Sequence, residues 1–313
     1  MLTTPKIILE NRKSSILTRP SLPCLQDYHA INLTAGCPFA CRYCYAQGYA
    51  NNPGNGRIVF YANSAEKLAA ELTGKRRKPK IVYFSTATDP FVPITKILDA
   101  QFRIMEMLLQ NGISIFVLTK AKVPARFVDL FVAHRDRVHV QIGLTTADDR
   151  VRRLIEPKAA TVNERLENIS ALLAGGIDTE LRMDPLIPLL TDTDQSLCAL
   201  LRETSARGCR RAVASFLHLR RANRELMTIV HDDWSFATIR RRLFTTHSRL
   251  GCGGTEILLP SATYRRKRFQ AAAQIGAELG VKIKFCGCKN PDITTDRCHP
   301  KPKEANEQMT FAM

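Results

Sequence analysis

Three cysteines, Cys37, Cys41 and Cys44, stand in C-x3-C-x2-C spacing within TAGCPFACRYCYAQGY, residues 34 to 49. Thiolate is a soft ligand that selects zinc, copper(I) or iron–sulfur. A structural zinc site needs four ligands in a tetrahedron. This loop offers three: the nearest downstream candidates, Asn51 and Asn52, are not thiolates, and no histidine lies close by. Three thiolates suit a cubane cluster in which three irons are tied down and the fourth stays open. An open iron can chelate a ligand through an amine and a carboxylate.

A second thiol-rich segment, FCGCKNPDITTDRCHP (285 to 300), carries Cys286, Cys288, Cys298 and His299. These four compose a second candidate metal site. A Cys3His zinc and an auxiliary iron–sulfur cluster are both open, and the plain alternative is a reduced, exposed tail. Thiols grouped this tightly, in a chain with no sign of secretion, point to metal rather than disulfides. Of the 10 cysteines, Cys24, Cys198, Cys209 and Cys252 stand apart and read as buried structural thiols, with Cys252 (in LGCGGTE) also a conceivable ligand.

Elements of alternating type must position these groups. Apolar runs at 29–35, 80–86, 113–120, 137–146, 177–186 and 210–219 are continuous rather than alternating, as in strands buried on both faces. Helix-like stretches lie between them at 64–74, 97–112, 161–176 and 193–208. The first opens on Ser64 and ends on Gly74, and Thr161 with Glu164 forms a capping-box pattern. Six strand–helix units imply a parallel α/β fold, an open doubly wound sheet or a partial (β/α)6 TIM-type barrel. In either, the site lies at the C-terminal ends of the strands. The pattern weakens after about 222, so we divide the chain into an N-terminal extension (1–29), a barrel (30–221), and a C-terminal α/β extension with a Cys-rich tail (222–313). A helix is expected over the segment from Ala222 to Leu243.

The 313 residues, 45% hydrophobic, suffice for a large α/β domain. No apolar run reaches the roughly 20 residues a membrane span needs. The N-terminus has too short an apolar run for a secretory signal. A soluble cytoplasmic protein is the expectation. The net charge of +17 favours polyanionic partners. It is concentrated at GKRRKPK (74–80), RRRL (240–243) and YRRKRF (264–269).

The loop after the first strand, with Tyr43 just before its last cysteine, resembles the radical S-adenosylmethionine (SAM) superfamily. CRYCYA, then FSTATDPFVP, then VLTK resembles its spore photoproduct lyase-like branch, over roughly residues 30 to 220. The resemblance implies a partial barrel holding a [4Fe–4S] cluster on Cys37, Cys41 and Cys44. It implies reductive cleavage of SAM to a 5′-deoxyadenosyl radical that abstracts hydrogen from substrate. A one-electron reductant such as flavodoxin or ferredoxin would feed the cluster.

The resemblance also implies residue roles. Tyr43 matches the aromatic whose backbone meets the adenine. Tyr45 falls beside the substrate as a hydrogen-atom relay. Thr88 and Asp89 fall where the methionyl amine is contacted, and Lys120 where the SAM carboxylate is paired. Thr145 and Thr146 match a hydroxyl at the same carboxylate. Arg182, Asp184 and His218 end later strands where they can face the pocket. Plainer readings stand beside these: a solvated Lys120, a turn-forming Asp89, packing for Tyr45, and structural partners for the last three. Thr86 stands where the lyase has its hydrogen-donating cysteine, which puts strict photoproduct DNA repair in doubt. The function expected is a radical SAM enzyme acting on nucleic acid. The alternatives are a radical SAM enzyme acting on a peptide, protein or small molecule, and a non-enzymatic zinc-bearing nucleic-acid-binding protein.

Overall fold

The computed structural model describes residues 5–74, 76–84, 87–232, 234–250, 254–294 and 296–299. The chain opens with β1 (Lys6–Glu10), β2 (His29–Ile31), β3 (Thr34–Ala35) and β4 (Arg57–Tyr61). Strands and helices then alternate: α1 (Ser64–Gly74), β5 (Ile81–Phe84), α2 (Thr95–Gln110), β6 (Ser114–Thr119), α3 (Ala125–Ala133), β7 (Val138–Gly143), α4 (Asp149–Ile155), α5 (Val162–Ala174), β8 (Asp178–Leu186), α6 (Asp194–Ser205) and β9 (Arg211–Phe216). The remainder is β10 (Val230–His231), β11 (Trp234–Ser235), α7 (Phe236–Leu243), β12 (Phe244–Leu250), β13 (Thr255–Pro260), α8 (Ala262–Glu278) and β14 (Lys282–Phe285).

The six expected strands are β2, β5, β6, β7, β8 and β9. They lie side by side and parallel, and β14 joins beyond β9 as a seventh, in the order β14-β9-β8-β7-β6-β5-β2. This is an α/β fold with the parallel sheet of a partial TIM-type barrel. Side-chain alternation sorts the two faces. Val82, Phe84, Ile115, Val117, Val140, Ile142, Leu181 and Ala214 pack into the main core with apolar residues of the helices, such as Leu108 and Leu172. Tyr83 and Phe116 alternate with them and pack with Tyr28 in a separate cluster. The Thr161–Glu164 capping box is present at the start of α5.

One expectation is corrected. No single helix spans 222 to 243: a 3-10 segment (Arg221–Thr228), the β10–β11 hairpin and the short α7 replace it. The apolar residues Leu226, Ile229, Trp234, Phe236 and Ile239 do not hold a helical period, and they bury together with Tyr43 and Leu217. Asp232 takes a positive φ of 47° where the hairpin turns. The end segments pack on the barrel. Ile16, Leu17, Phe269, Ala272 and Val281 belong to the main core, and β14 extends its sheet. Against the plain alternative of an exposed tail, Cys286 and Cys298 are buried.

Candidate active site

The three-cysteine loop leaves a small sheet in which β1 pairs with β4 and β4 with β3. Ala35 pairs with Val59, and Gly36 follows at φ 79°. A Cβ on Gly36 would lie 2.6 Å from the Arg57 carbonyl oxygen, so only glycine lets the chain turn there. The loop is then fastened to the segment around α4. The Arg42 N–H donates to the Ile155 carbonyl (3.0 Å), and the Lys158 N–H to that of Phe39 (3.2 Å). The Cys44 N–H closes the loop on the Cys41 carbonyl at 3.0 Å.

Burial pushes the Cys37 thiol up to about 12 and lifts Cys44 as well. Cys41 rises further, through burial and then the neighbouring Glu156 carboxylate. Ligation must therefore displace protons from all three. The thiols interact electrostatically with one another. They are not gathered within 4.8 Å as the tail donors are. A cubane offers each thiolate its own iron, so it spaces them more widely than a single ion does. The donor chemistry fits a [4Fe–4S] cluster.

The strand ends bring the remaining residues around this loop. Asp89 follows β5, and its carboxylate accepts from the Lys120 N–H (2.8 Å), the Phe91 N–H (3.0 Å) and the Thr119 hydroxyl (2.8 Å). Burial raises its pKa, while these donors oppose the rise. Asp89 thus fixes the backbone at Lys120, and its bond to Phe91 two residues on is the turn-forming role. The Lys120 ammonium lies 5.7 Å from the centre of the Tyr43 ring. Among the described residues no carboxylate comes within 4.0 Å of it. Gly143 makes room for it: a Cβ there would lie 2.9 Å from Lys120 Cγ. The Thr88 hydroxyl sits 2.8 Å from that of Thr34 and 3.2 Å from the Gly36 carbonyl, joining the end of β5 to the cysteine loop.

Thr145 and Thr146 follow β7 and differ. The Thr146 hydroxyl accepts from the Asp148 N–H at 3.0 Å, whereas the buried Thr145 Oγ1 has no hydrogen-bond partner. Arg182, on β8, donates to Asp184 at 2.7 Å through Nη2 and leaves Nη1 buried and unpartnered. His218, after β9, is also buried with an unpartnered Nε2. Burial first, then the Lys289 charge, lowers its pKa to about 3, so its ring is neutral at ordinary pH. Buried polar atoms of this kind cost about 1–3 kcal/mol each unless something bonds them. Three such atoms on or just after three neighbouring strands suit a polar ligand such as SAM.

The two tyrosines have distinct settings. The Tyr43 hydroxyl donates to Glu156, which also pairs with the fully buried Arg165 at 2.6 Å. The Tyr43 carbonyl accepts from Asn223 Nδ2 at 2.5 Å and keeps a second lone pair. The Tyr45 ring lies 6.1 Å from that of His218, with the Arg220 guanidinium 5.7 Å from its centre.

Sequence reasoning missed Glu156, Arg165, Asn223 and Lys289. Lys289 lies 2.6 Å from Asp184 and was visible only as a neighbour of the tail cysteines; the others carry no local signal. It also missed Cys24, whose Sγ is 3.2 Å from that of Cys288. His299 packs against Phe116 (5.0 Å) and Tyr83 (5.5 Å). Thr86 and Cys252 lie outside the described residues.

Comparison with known proteins agrees with this geometry. A sequence model described as the Radical SAM superfamily matches residues 31–203. An uncharacterised protein of Mycobacterium tuberculosis (strain ATCC 25618 / H37Rv) is 30% identical over 221 residues, covering 68% of this chain and 65% of that protein. The chain therefore spans less than two thirds of that relative's length. A Pseudomonas phage M6 protein named radical SAM Nalpha-GlyT isomerase is 26% identical over 283 residues, 84% of this chain and 57% of that protein. Spore photoproduct lyase complexed with dinucleoside spore photoproduct superposes with a TM-score of 0.67 at 14% identity, covering 89% of this chain and 82% of that one. At that identity the likeness concerns the fold.

Proposed function

The chain belongs to the radical SAM superfamily and is an enzyme of that class, and from this premise we propose that it acts on nucleic acid. When bound, a [4Fe–4S] cluster and SAM supply reductive cleavage of the sulfonium to a 5′-deoxyadenosyl radical. Cys37, Cys41 and Cys44 would hold the cluster, with the electron coming from a flavodoxin- or ferredoxin-like donor. The observation that carries the site reading is the Lys120 ammonium beside the cysteine loop, with no carboxylate within 4.0 Å among the described residues, although Glu156 and Asp89 act on it electrostatically. It would receive the SAM carboxylate as a charge-assisted hydrogen bond. The Thr145 hydroxyl would complete that carboxylate's bonds, with Thr146 and Thr88 bracing the rim. The second lone pair of the Tyr43 carbonyl would face the adenine. Asp89 would act through Lys120 rather than on the amine. Arg182 and His218 would offer Nη1 and Nε2 to ligand or substrate, and Tyr45 would stand beside the substrate.

The nucleic-acid reading rests on the +17 charge and on two likenesses. The phage protein's name specifies Nalpha-GlyT, and the lyase structure holds a dinucleoside. Exposed cations remain at Arg76, Arg77, Lys78 and Lys80 and at Arg240, Arg241 and Arg242. A second reading, a peptide or small-molecule substrate, is favoured by the third basic run. There Arg265 is buried against Asp292 and Arg268 pairs with Asp194, so only Arg266 and Lys267 of this run stay exposed.

The test is 5′-deoxyadenosine formation after anaerobic reconstitution, with SAM and dithionite, against a Cys37/Cys41/Cys44→Ala chain. Product from the native chain alone supports the chemistry, and iron-loaded protein giving none sinks it. Binding to DNA and RNA should weaken steeply with salt. No binding at physiological salt would favour the second reading.

A further inference from the structure

Two segments far apart in sequence meet in one cluster of thiols. Cys24 lies just before β2, at one edge of the seven-stranded sheet, and Cys286 just after β14, at the other. Their neighbourhood holds four thiols. Cys286 Sγ lies 3.0 Å from Cys288 Sγ and 3.5 Å from Cys298 Sγ, and Cys24 Sγ lies 3.2 Å from Cys288 Sγ. Cys24 and Cys298 donors also fall within 4.8 Å of each other. The free cysteines of the chain include all four. We infer that Cys24, Cys286, Cys288 and Cys298 form a four-thiolate site for a single tetrahedral metal ion, of which zinc is the matching one.

The spacing argues for one ion. Zinc–sulfur bonds of about 2.3 Å in a tetrahedron set the sulfurs about 3.8 Å apart. The Cys286–Cys288, Cys286–Cys298 and Cys24–Cys288 separations, 3.0 to 3.5 Å, are near this scale; Cys24 and Cys286 are not grouped within 4.8 Å of each other, so binding would draw Cys24 inward. A cubane between these thiols would have to spread them, and the backbones of Cys286 and Cys298 are fixed. The Cys286 N–H donates to the Ala214 carbonyl at 2.9 Å, and the Asn290 N–H closes the turn on the Cys286 carbonyl at 3.1 Å. Gln141 Nε2 holds the Cys298 carbonyl at 3.0 Å. Four thiolates and a dication leave two negative charges. Arg182 interacts electrostatically with Cys286 and Cys298, and Lys289 with Cys286, which offsets that charge within a buried site.

His299 is a fifth donor nearby, grouped within 4.8 Å of Cys24 and Cys298 but not with Cys286 and Cys288. Its ring is wedged among Tyr28, Tyr83 and Phe116. Cys24 reaches two of the three tail thiols, so Cys24 rather than His299 completes the set. The ion would then tie the segment before β2 to the tail, and through Lys289 and Asp184 support the pocket.

The test uses the full chain with Cys37, Cys41 and Cys44 replaced by alanine, so that the tail thiols are the only clustered ones left. About one zinc per chain is expected on purification. Replacement by cobalt(II) should give the visible bands of a tetrahedral all-sulfur site with strong thiolate charge transfer. Adding Cys24→Ser should abolish stoichiometric zinc, and His299→Ala should not. Should the Cys24→Ser chain fail to fold, alkylation mapping of the parent decides. Cys24, Cys286, Cys288 and Cys298 should be protected until a chelator is added, while Cys198 reacts throughout. Zinc retained in Cys24→Ser and lost in His299→Ala overturns the assignment of Cys24. Iron and sulfide instead of zinc, or a folded chain without metal, overturns the site.

Discussion

The Lys289 ammonium lies 2.6 Å from the Asp184 carboxylate, on which the Arg182 guanidinium also converges at 2.7 Å. One buried anion is thus shared by a strand residue and a tail residue far apart in sequence. The pair joins the C-terminal tail to the inner face of the barrel, beside His218.

Lys289→Met should destabilise the chain. Removing one partner of a buried ion pair costs about 3–5 kcal/mol, and Arg182 still compensates Asp184, so the low end, about 3 kcal/mol, is expected. Urea unfolding measures it. In a double-mutant cycle with Asp184→Asn, the two losses should fall short of additive by about 1 kcal/mol or more. A Lys289→Met chain within about 0.5 kcal/mol of the parent would show that the pair is idle.

Acid should weaken the fold through two named carboxyls. Burial alone would raise Asp184, but Lys289 and then Arg182 overcome it and hold the group well below the usual range. Burial likewise works against Glu156, and Arg165, Lys120 and the Tyr43 hydroxyl together keep it low. A folded pKa below the unfolded one means stabilisation that is present above the ordinary carboxyl range, near 4. It is lost as pH falls through the folded pKa. Stability should therefore drop below about pH 5, by up to about 1.4 kcal/mol per pH unit for each proton taken up. Asp184→Asn and Glu156→Gln should each flatten that slope, measured by unfolding from pH 6 to 3 in the chain without loop cysteines. Unchanged slopes would remove these two groups from the account.

Much of this architecture was legible because it is local. Continuous runs such as KIVYFST and ISIFVLTK marked strands buried on both faces, and Thr161 with Glu164 marked the start of α5. The loop cysteines were legible because their spacing alone restricts the metal. What escaped is set by long-range packing. Cys24 meets Cys288 across 264 positions, and no local pattern announces such a meeting. VKIKF reads as a strand, yet nothing in it says that it docks beside β9. The basic run 264–269 resembles a polyanion-binding surface until Asp292 and Asp194 are seen beside it. Asp89 and Lys120 were both picked out, but that the first holds the backbone of the second appears only when β5 and β6 pair.

Gly143→Ala should weaken SAM binding, with some loss of stability because the new Cβ would also lie 3.3 Å from the Thr119 carbonyl oxygen. The new Cβ would lie 2.9 Å from Lys120 Cγ and 3.3 Å from its Nζ. The lysine must swing aside, and a charge-assisted bond of about 1.5–3 kcal/mol would be strained or lost. The expected rise in the dissociation constant for SAM is about tenfold or more, equivalent to about 1.4 kcal/mol. Lys120→Met should bind SAM at least as poorly, and adding Gly143→Ala to it should cost nothing further. If the two effects simply add, Gly143 is not acting through Lys120.

Asp89→Ala should act on the same lysine from the other side. Its carboxylate accepts from the Lys120 N–H, the Phe91 N–H and the Thr119 hydroxyl, all at 2.8 to 3.0 Å. Alanine leaves three donors without their acceptor in a buried corner, at about 1–3 kcal/mol each before water enters. The strand end carrying Lys120 should then loosen, raising the KM for SAM more than it lowers kcat. Asparagine keeps one acceptor oxygen and should recover part of the loss. Steady-state 5′-deoxyadenosine formation, set beside urea unfolding of the same chains, separates this from general damage. A positioning role predicts graded KM values, lowest in the parent, then Asp89→Asn, then Asp89→Ala. If Asp89 instead touched the SAM amine directly, Asn and Ala would lose SAM binding alike while Lys120→Met stayed additive with both.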